Sequence, residues 1–142
     1  MPHRDVILTM LHRADFTNIA PFVRSLKHAG YAGHLMVFAS AVGDEVCAKL
    51  REFQATVVPF HFFGKRERQP LARLWPLWRW YFSSRASQAA KEKLAHRVLH
   101  VRYRRYLLYL QYLREHGERY DRVMLTDAKD VYFQIEPFSW NP

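Results

Sequence analysis

Residues 5–40 read DVILTMLHRADFTNIAPFVRSLKHAGYAGHLMVFAS, and their periodicity decides the fold. Asp5 to Leu11 is almost continuously apolar and partly β-branched, which predicts a strand buried on both faces. From Thr17 to Ala29 the apolar residues Ile19, Phe22, Val23 and Leu26 recur at helical spacing, Pro21 falls in the first turn, and Gly30 marks the stop. His34 to Ala39 is a second strand. Asp44 is then a candidate N-cap for a helix whose inward stripe is Val46, Cys47, Leu50 and Phe53, and Ala55 to Phe60 makes a third strand. Strand and helix alternating at this spacing build parallel βαβ units with right-handed crossovers. The fold class is therefore α/β: a mostly parallel sheet flanked by helices.

The alternation breaks at His61. From there to Ser87 basic residues are interleaved with Trp75, Trp78, Trp80, Tyr81 and Phe82, and Pro70 and Pro76 forbid one continuous helix, so this stretch is an excursion from the sheet. Gln88 to Glu115 has neither proline nor glycine and is rich in Ala, Leu, Lys and Arg, which predicts a long helix ended by Gly117. Arg122 to Thr126 is the next buried strand. It delivers the chain to Asp127 at its carboxyl end, the end at which open α/β sheets bind ligands. With 142 residues, 49% of them hydrophobic and 15% aromatic, the chain can build one domain with a core. The lone cysteine, Cys47, excludes an internal disulfide and reads as a small core residue.

The net charge of +9 is concentrated: residues 65–105 hold 12 Lys/Arg against 2 Asp/Glu. Such a patch attracts anions, whether nucleic acid, anionic lipid or the phosphates of a nucleotide, and charge alone does not choose among them. The aromatic residues within it fit three arrangements: packing on the sheet, lying at a membrane interface, or, least favoured, stacking on single-stranded nucleic acid. The apolar run from Val6 to Leu11 is too short for a signal-peptide core, and no stretch is uniformly apolar over the ~20 residues a spanning helix needs. The expectation is a soluble, cytoplasmic protein able to meet a membrane peripherally.

The most specific local signal is VMLTDAKDVYFQIEPF, residues 123–138: an apolar strand, two carboxylates three apart, then an aromatic segment closed by Pro137. Two carboxylates at the mouth of a parallel sheet can hold Mg²⁺ or Mn²⁺ against a diphosphate. Residues i and i+3 point different ways along an extended strand, so Asp127 and Asp130 converge only if the chain turns after Thr126. The competing reading is that Asp127 caps that turn with its side chain while Asp130 is merely solvated. On the long helix, Leu94, Val98, Val101, Arg105, Leu108 and Tyr112 share a stripe, so Arg105 interrupts an apolar face and needs a partner: donor phosphates or a site aspartate on one reading, a structural ion pair or the helix edge on the other. Arg97, His100, Arg104 and Gln111 fall on a polar stripe expected to be solvated. His96 and His100 have zinc-compatible spacing but lack the surrounding motif. No GxSxG, P-loop or GxGxxG element is present.

The stretch YDRVMLTDAKDVYFQIEPF resembles the signature of bacterial and plant GT-A fold glycosyltransferase-like proteins, in which a tyrosine-led strand runs into Asp-x-Arg-Asp-Val, Phe-Gln and Pro-Phe. VILTML and FVRSLKHAGYAGHLMVFAS are similar to that family's first strand, helix and second strand. The resemblance implies a Rossmann-like nucleotide-sugar-binding domain. Asp127 and Asp130 would match the degenerate DxD element that holds Mn²⁺ or Mg²⁺ and the donor, and Thr9, Met10 and Leu11 the strand edge that meets the nucleotide base. The implied partners are a nucleoside diphosphate sugar and a glycan or other hydroxyl acceptor, and the implied reaction is glycosyl transfer. Lys129 stands where the family commonly has arginine, which keeps the charge but not the bidentate fork. The family continues beyond this block into an acceptor-binding half, whereas this chain stops at Pro142. The alternative is therefore a non-catalytic truncated remnant or a membrane-associated binding module.

Overall fold

A computed structural model of the chain describes residues 4–60, 87–92 and 101–139. Four parallel strands form one sheet: β1 (Asp5–His12), β2 (His34–Ser40), β3 (Thr56–Pro59) and β4 (Arg122–Leu125), in the order β3-β2-β1-β4. The register pairs Ile7 with Leu35 and with Met124, and Val37 with Val57. Among the described residues the longer helices are α1 (Phe16–His28), α2 (Asp44–Glu52) and α3 (Val101–His116). The fold is thus α/β with an all-parallel sheet.

β1 lies inside the sheet, and Val6, Ile7, Leu8, Thr9 and Leu11 have no exposed surface. Its alternate residues serve two faces. Ile7 and Leu11 join Leu35 and Val37, the α1 stripe of Ile19, Phe22, Val23 and Leu26, and Leu50 of α2 in one core. Each such side chain contributes roughly 1.5–3 kcal/mol when fully buried. On the other face Val6, Leu8, Met36 and Phe38 are buried as well, and Tyr112 near the end of α3 meets Phe38 edge-on with ring centroids 5.8 Å apart. At the edge of the described sheet, by contrast, Val123 and Leu125 of β4 are 41% and 47% exposed.

Two helix starts differ from the sequence reading by local chemistry. α1 begins at Phe16, so Pro21 lies in its second turn, where it removes a donor from the Thr17 carbonyl; its exposed position tolerates that loss. The residue preceding α2 is Gly43, and Asp44 is the first helical residue, its carboxylate favoured there by the helix dipole. Gly30 does end α1: at φ +75° it completes a Schellman motif in which its own N–H bonds Lys27 O at 3.1 Å and Tyr31 N–H bonds Leu26 O at 3.1 Å. Cys47 is half-buried and free.

The chain divides into two compact units, Met1–His61 with Tyr112–Pro142, and Phe62–Gln111. In the second, residues 88–92 are helical, with Ser87 Oγ accepting from Ala90 N–H at 3.3 Å. The described parts of the predicted long helix are therefore helical, and α3 ends at His116, before Gly117. Tyr109 of α3 is buried, with Arg105 and Leu108 half-buried. Arg104 is not solvated as its stripe suggests: it is half-buried, being next to Leu108 on the helical wheel, and burial lowers its pKa. The basic, tryptophan-rich excursion, the His96/His100 pair, Leu94 and Val98 lie outside the described residues. Among the described residues no helix is long and apolar enough to cross a membrane.

Candidate functional site

From β1 the chain steps to β2 on one side, while β4 pairs with β1 on the other. β1 and β4 are parallel neighbours, so the loops that leave their carboxyl ends lie side by side at the end where open α/β sheets bind ligands. His12, Arg13, Ala14 and Asp15 follow the first strand, and Thr126 to Asp130 follow the fourth.

After β4 one more bond extends the ladder, Thr126 N–H to Leu8 O at 3.1 Å, and then the chain turns. Asp130 N–H reaches Asp127 O at 3.3 Å, and Lys129 N–H donates to Asp127 Oδ1 at 3.2 Å. Ala128 is the inward residue of the turn, 1% exposed, and its N–H donates to Thr9 Oγ1 at 3.1 Å. With Ala128 held in the core, Lys129 and Asp130 are exposed and Asp127 is half-buried. The turn that convergence requires is thus present. The capping role is realised too, since Asp127 accepts a backbone N–H two residues on, as an Asx turn does.

Beyond the turn the chain runs back over α1. Phe133 packs on Phe22 with centroids 5.7 Å apart, and its N–H donates to Ser25 Oγ at 3.0 Å. Phe138 lies against Tyr31 at 6.0 Å, and its carbonyl accepts from Arg122 at 2.7 Å. Phe133 and Phe138 of the segment after the aspartates therefore serve packing, whereas Tyr132 is exposed. At this amino end of the sheet Arg122 also grips Asp5 through both carboxylate oxygens, at 2.8 and 2.7 Å, which raises the Arg122 pKa. The two ends differ in kind: charges at the amino end are paired with each other, while Lys129 and Asp130 at the carboxyl end are presented to solvent.

Thr9, Met10, Leu11, Asp127 and Asp130 are all brought to the carboxyl end of β1 and β4. Thr9 and Leu11 are fully enclosed, however, and offer a ligand no surface; of the three only Met10, on the opposite face of the strand, is partly accessible. Arg105 belongs to the other unit, where its guanidinium lies 5.0 Å from the ring centroid of Tyr106 and donates to that hydroxyl at 3.2 Å. Among the described residues there is no group of three or more His, Cys, Asp or Glu able to hold a metal. A pair of carboxylates does not suit an all-protein cage; it suits a hard cation that takes its remaining oxygens from ligand phosphates and water.

His12, Arg13 and Ser40 were not singled out by the sequence. Arg13 has φ +46° and Ala41 φ +50°, so two non-glycine residues adopt the left-handed conformation just past β1 and β2, and Arg13 N–H bonds Ser40 O at 3.2 Å. Position alone could have found His12 and Arg13, because the residues ending and following a first parallel strand occupy the binding edge. Nothing in their residue types announces the backbone conformation. An open groove of about 700 Å³ lies elsewhere, along the outer side of α1 between Phe16, Pro21, Arg24, His28 and Tyr132. It gathers no carboxylate.

Neither a protein-family model nor a curated protein sequence matches the chain.

Proposed function

We propose that this chain is the nucleotide-sugar-binding part of a Rossmann-like GT-A glycosyltransferase, which moves a sugar from a nucleoside diphosphate sugar to the hydroxyl of a glycan or other acceptor. The observation that carries the reading is the placement of Asp127 and Asp130 on one turn at the carboxyl end of β4, beside the central strand of an all-parallel sheet. The resemblance of the surrounding block to the GT-A signature supplies the chemistry.

In this reading Asp127 and Asp130 would hold Mn²⁺ or Mg²⁺, with ligand oxygens and water completing its shell. The cation, when bound, stabilises the negative charge that develops on the departing diphosphate. Asp127 is the anchored member, its Oδ1 oriented by the Lys129 N–H, and Asp130 is the exposed member that meets the incoming ligand. Lys129 adds a compact positive charge between them, suited to a phosphate oxygen as a point partner and not as a planar fork. Arg13 brings a second exposed cation to the loop that follows β1.

Isothermal titration of UDP and of GDP, with and without Mn²⁺, tests this on the intact chain and on Asp130→Ala. The expected result is nucleotide binding that requires Mn²⁺ and is lost in Asp130→Ala. Nucleotide binding indifferent to Mn²⁺, or retained in full by the variant, removes the metal role. No binding by a folded wild-type chain removes the donor site.

A further inference from the structure

Two polar side chains inside the sheet unit stand where apolar ones would suit the core better. Thr9 is fully enclosed in the central strand, where valine has the same shape and no hydroxyl to desolvate. Ser25 is 1% exposed on the inward face of α1, between Phe22 and Leu26, where alanine is the better helix former. Each hydroxyl accepts a backbone N–H from the segment that carries the aspartates: Thr9 Oγ1 from Ala128 at 3.1 Å, and Ser25 Oγ from Phe133 at 3.0 Å. Ser25 spends its proton on the Phe22 carbonyl at 2.8 Å, which leaves its lone pairs to the Phe133 amide. The two accepted N–H groups bracket Lys129 and Asp130. One hydroxyl comes from β1 and the other from α1, so the turn is tied to two elements that the core already holds together.

We propose that Thr9 and Ser25 are positioning residues for the cation: their buried hydroxyls hold the chain at Ala128, next to Asp127, and at Phe133, beyond Asp130, so that the two carboxylates are set before a ligand arrives. This rests on the donor-site reading above. A carboxylate pair on an untethered loop would have to be ordered at the moment of binding, and that ordering cost subtracts from affinity.

The test uses the full chain and Thr9→Val, Thr9→Ser and Ser25→Ala, with two readouts. Amide hydrogen exchange at Lys129 and Asp130 without ligand reports the turn itself, and Mn²⁺ titration in the presence of UDP, followed by the electron paramagnetic resonance of free Mn²⁺, reports affinity. The expected result is faster exchange and about tenfold weaker Mn²⁺·UDP binding in Thr9→Val and Ser25→Ala, the scale of one lost hydrogen bond, with Thr9→Ser restored to the wild-type value. A simple packing role would lower the melting temperature without moving the affinity of the folded variants. Wild-type binding that folded Thr9→Val and Ser25→Ala leave unchanged overturns the positioning role alone. A folded wild-type chain that binds no Mn²⁺·UDP overturns the donor site and the positioning role with it. Should Thr9→Val fail to fold, Ser25→Ala decides on the same two readouts.

Discussion

Asp127 accepts the Lys129 N–H and so shapes the turn. In the proposed donor site the same carboxylate would be one of the two offered to a cation. The readings that the sequence set in competition, turn cap and ligand, do not exclude each other, since a carboxylate that accepts one N–H is still a carboxylate at the turn. Between the two aspartates Ala128 decides which way the turn faces, since its methyl group belongs to the core while its neighbours point out. Ala128→Leu inserts a bulky side chain into a filled site and is expected to cost about 1–3 kcal/mol. It should also push the turn off Thr9. Urea unfolding gives the first effect, and weaker Mn²⁺·UDP binding by the folded variant gives the second.

At the scale of an element, the connection from α1 to β2 shows how few residues fix a helix end. Gly30 supplies the left-handed conformation of the Schellman motif, and the sequence announces it. Gly33 is required for a reason the sequence does not show: a Cβ there would lie 2.5 Å from the Tyr31 hydroxyl oxygen and 2.6 Å from the ring carbon that bears it. That ring cannot easily move. Its hydroxyl is within hydrogen-bonding distance of the Asp5 and His34 carbonyls, at 3.3 and 3.1 Å, and its face lies on Phe138. Burial holds the Tyr31 phenol well above its ordinary pKa, so it stays a donor throughout the working range. Gly33→Ala is expected to destabilise the sheet unit by about 1–3 kcal/mol, measurable as a lower urea midpoint, with a change in the near-ultraviolet signal as Tyr31 shifts.

Across the sheet unit as a whole, the amino end behaves as a lock. Asp5 with Arg122 ties β1 to β4, and a relay of side chains crosses from helix to sheet: Tyr112 and Tyr120 hydroxyls 2.6 Å apart, Tyr120 and His34 Nδ1 2.8 Å apart, His34 Nε2 and Thr56 Oγ1 2.8 Å apart. Burial lowers the His34 pKa below its ordinary value of 6.5. An unfolded chain takes up that proton at higher pH than the folded one, so the contribution of this group is complete above the unfolded value and falls as pH drops through it. Wild-type stability is therefore expected to fall from about pH 7.5 to about pH 5.5 by more than that of His34→Gln. Urea midpoints of both chains at the two pH values measure the difference, and parallel losses would show that His34 contributes nothing to it.

The sequence by itself determined the sheet's character. Continuous apolar strands, the Ile19–Phe22–Val23–Leu26 stripe and Gly30 are short-range patterns whose period and backbone preference act locally, so β1, α1 and β2 are legible residue by residue. It also brought Asp127 to the end of a strand, because a strand's direction follows from its place in the alternation. What it could not determine is anything that depends on which strands become neighbours. Only pairing of β4 with β1, more than a hundred residues apart in sequence, sets Ala128 under Thr9 and gives the enclosed Thr9 hydroxyl a backbone N–H to accept. The same pairing lets the segment after Asp130 return to Ser25 and Phe22, packing Phe133, which read as part of a motif, against the core. Which hydroxyl meets which amide is settled by packing at a distance, and local periodicity carries no record of it.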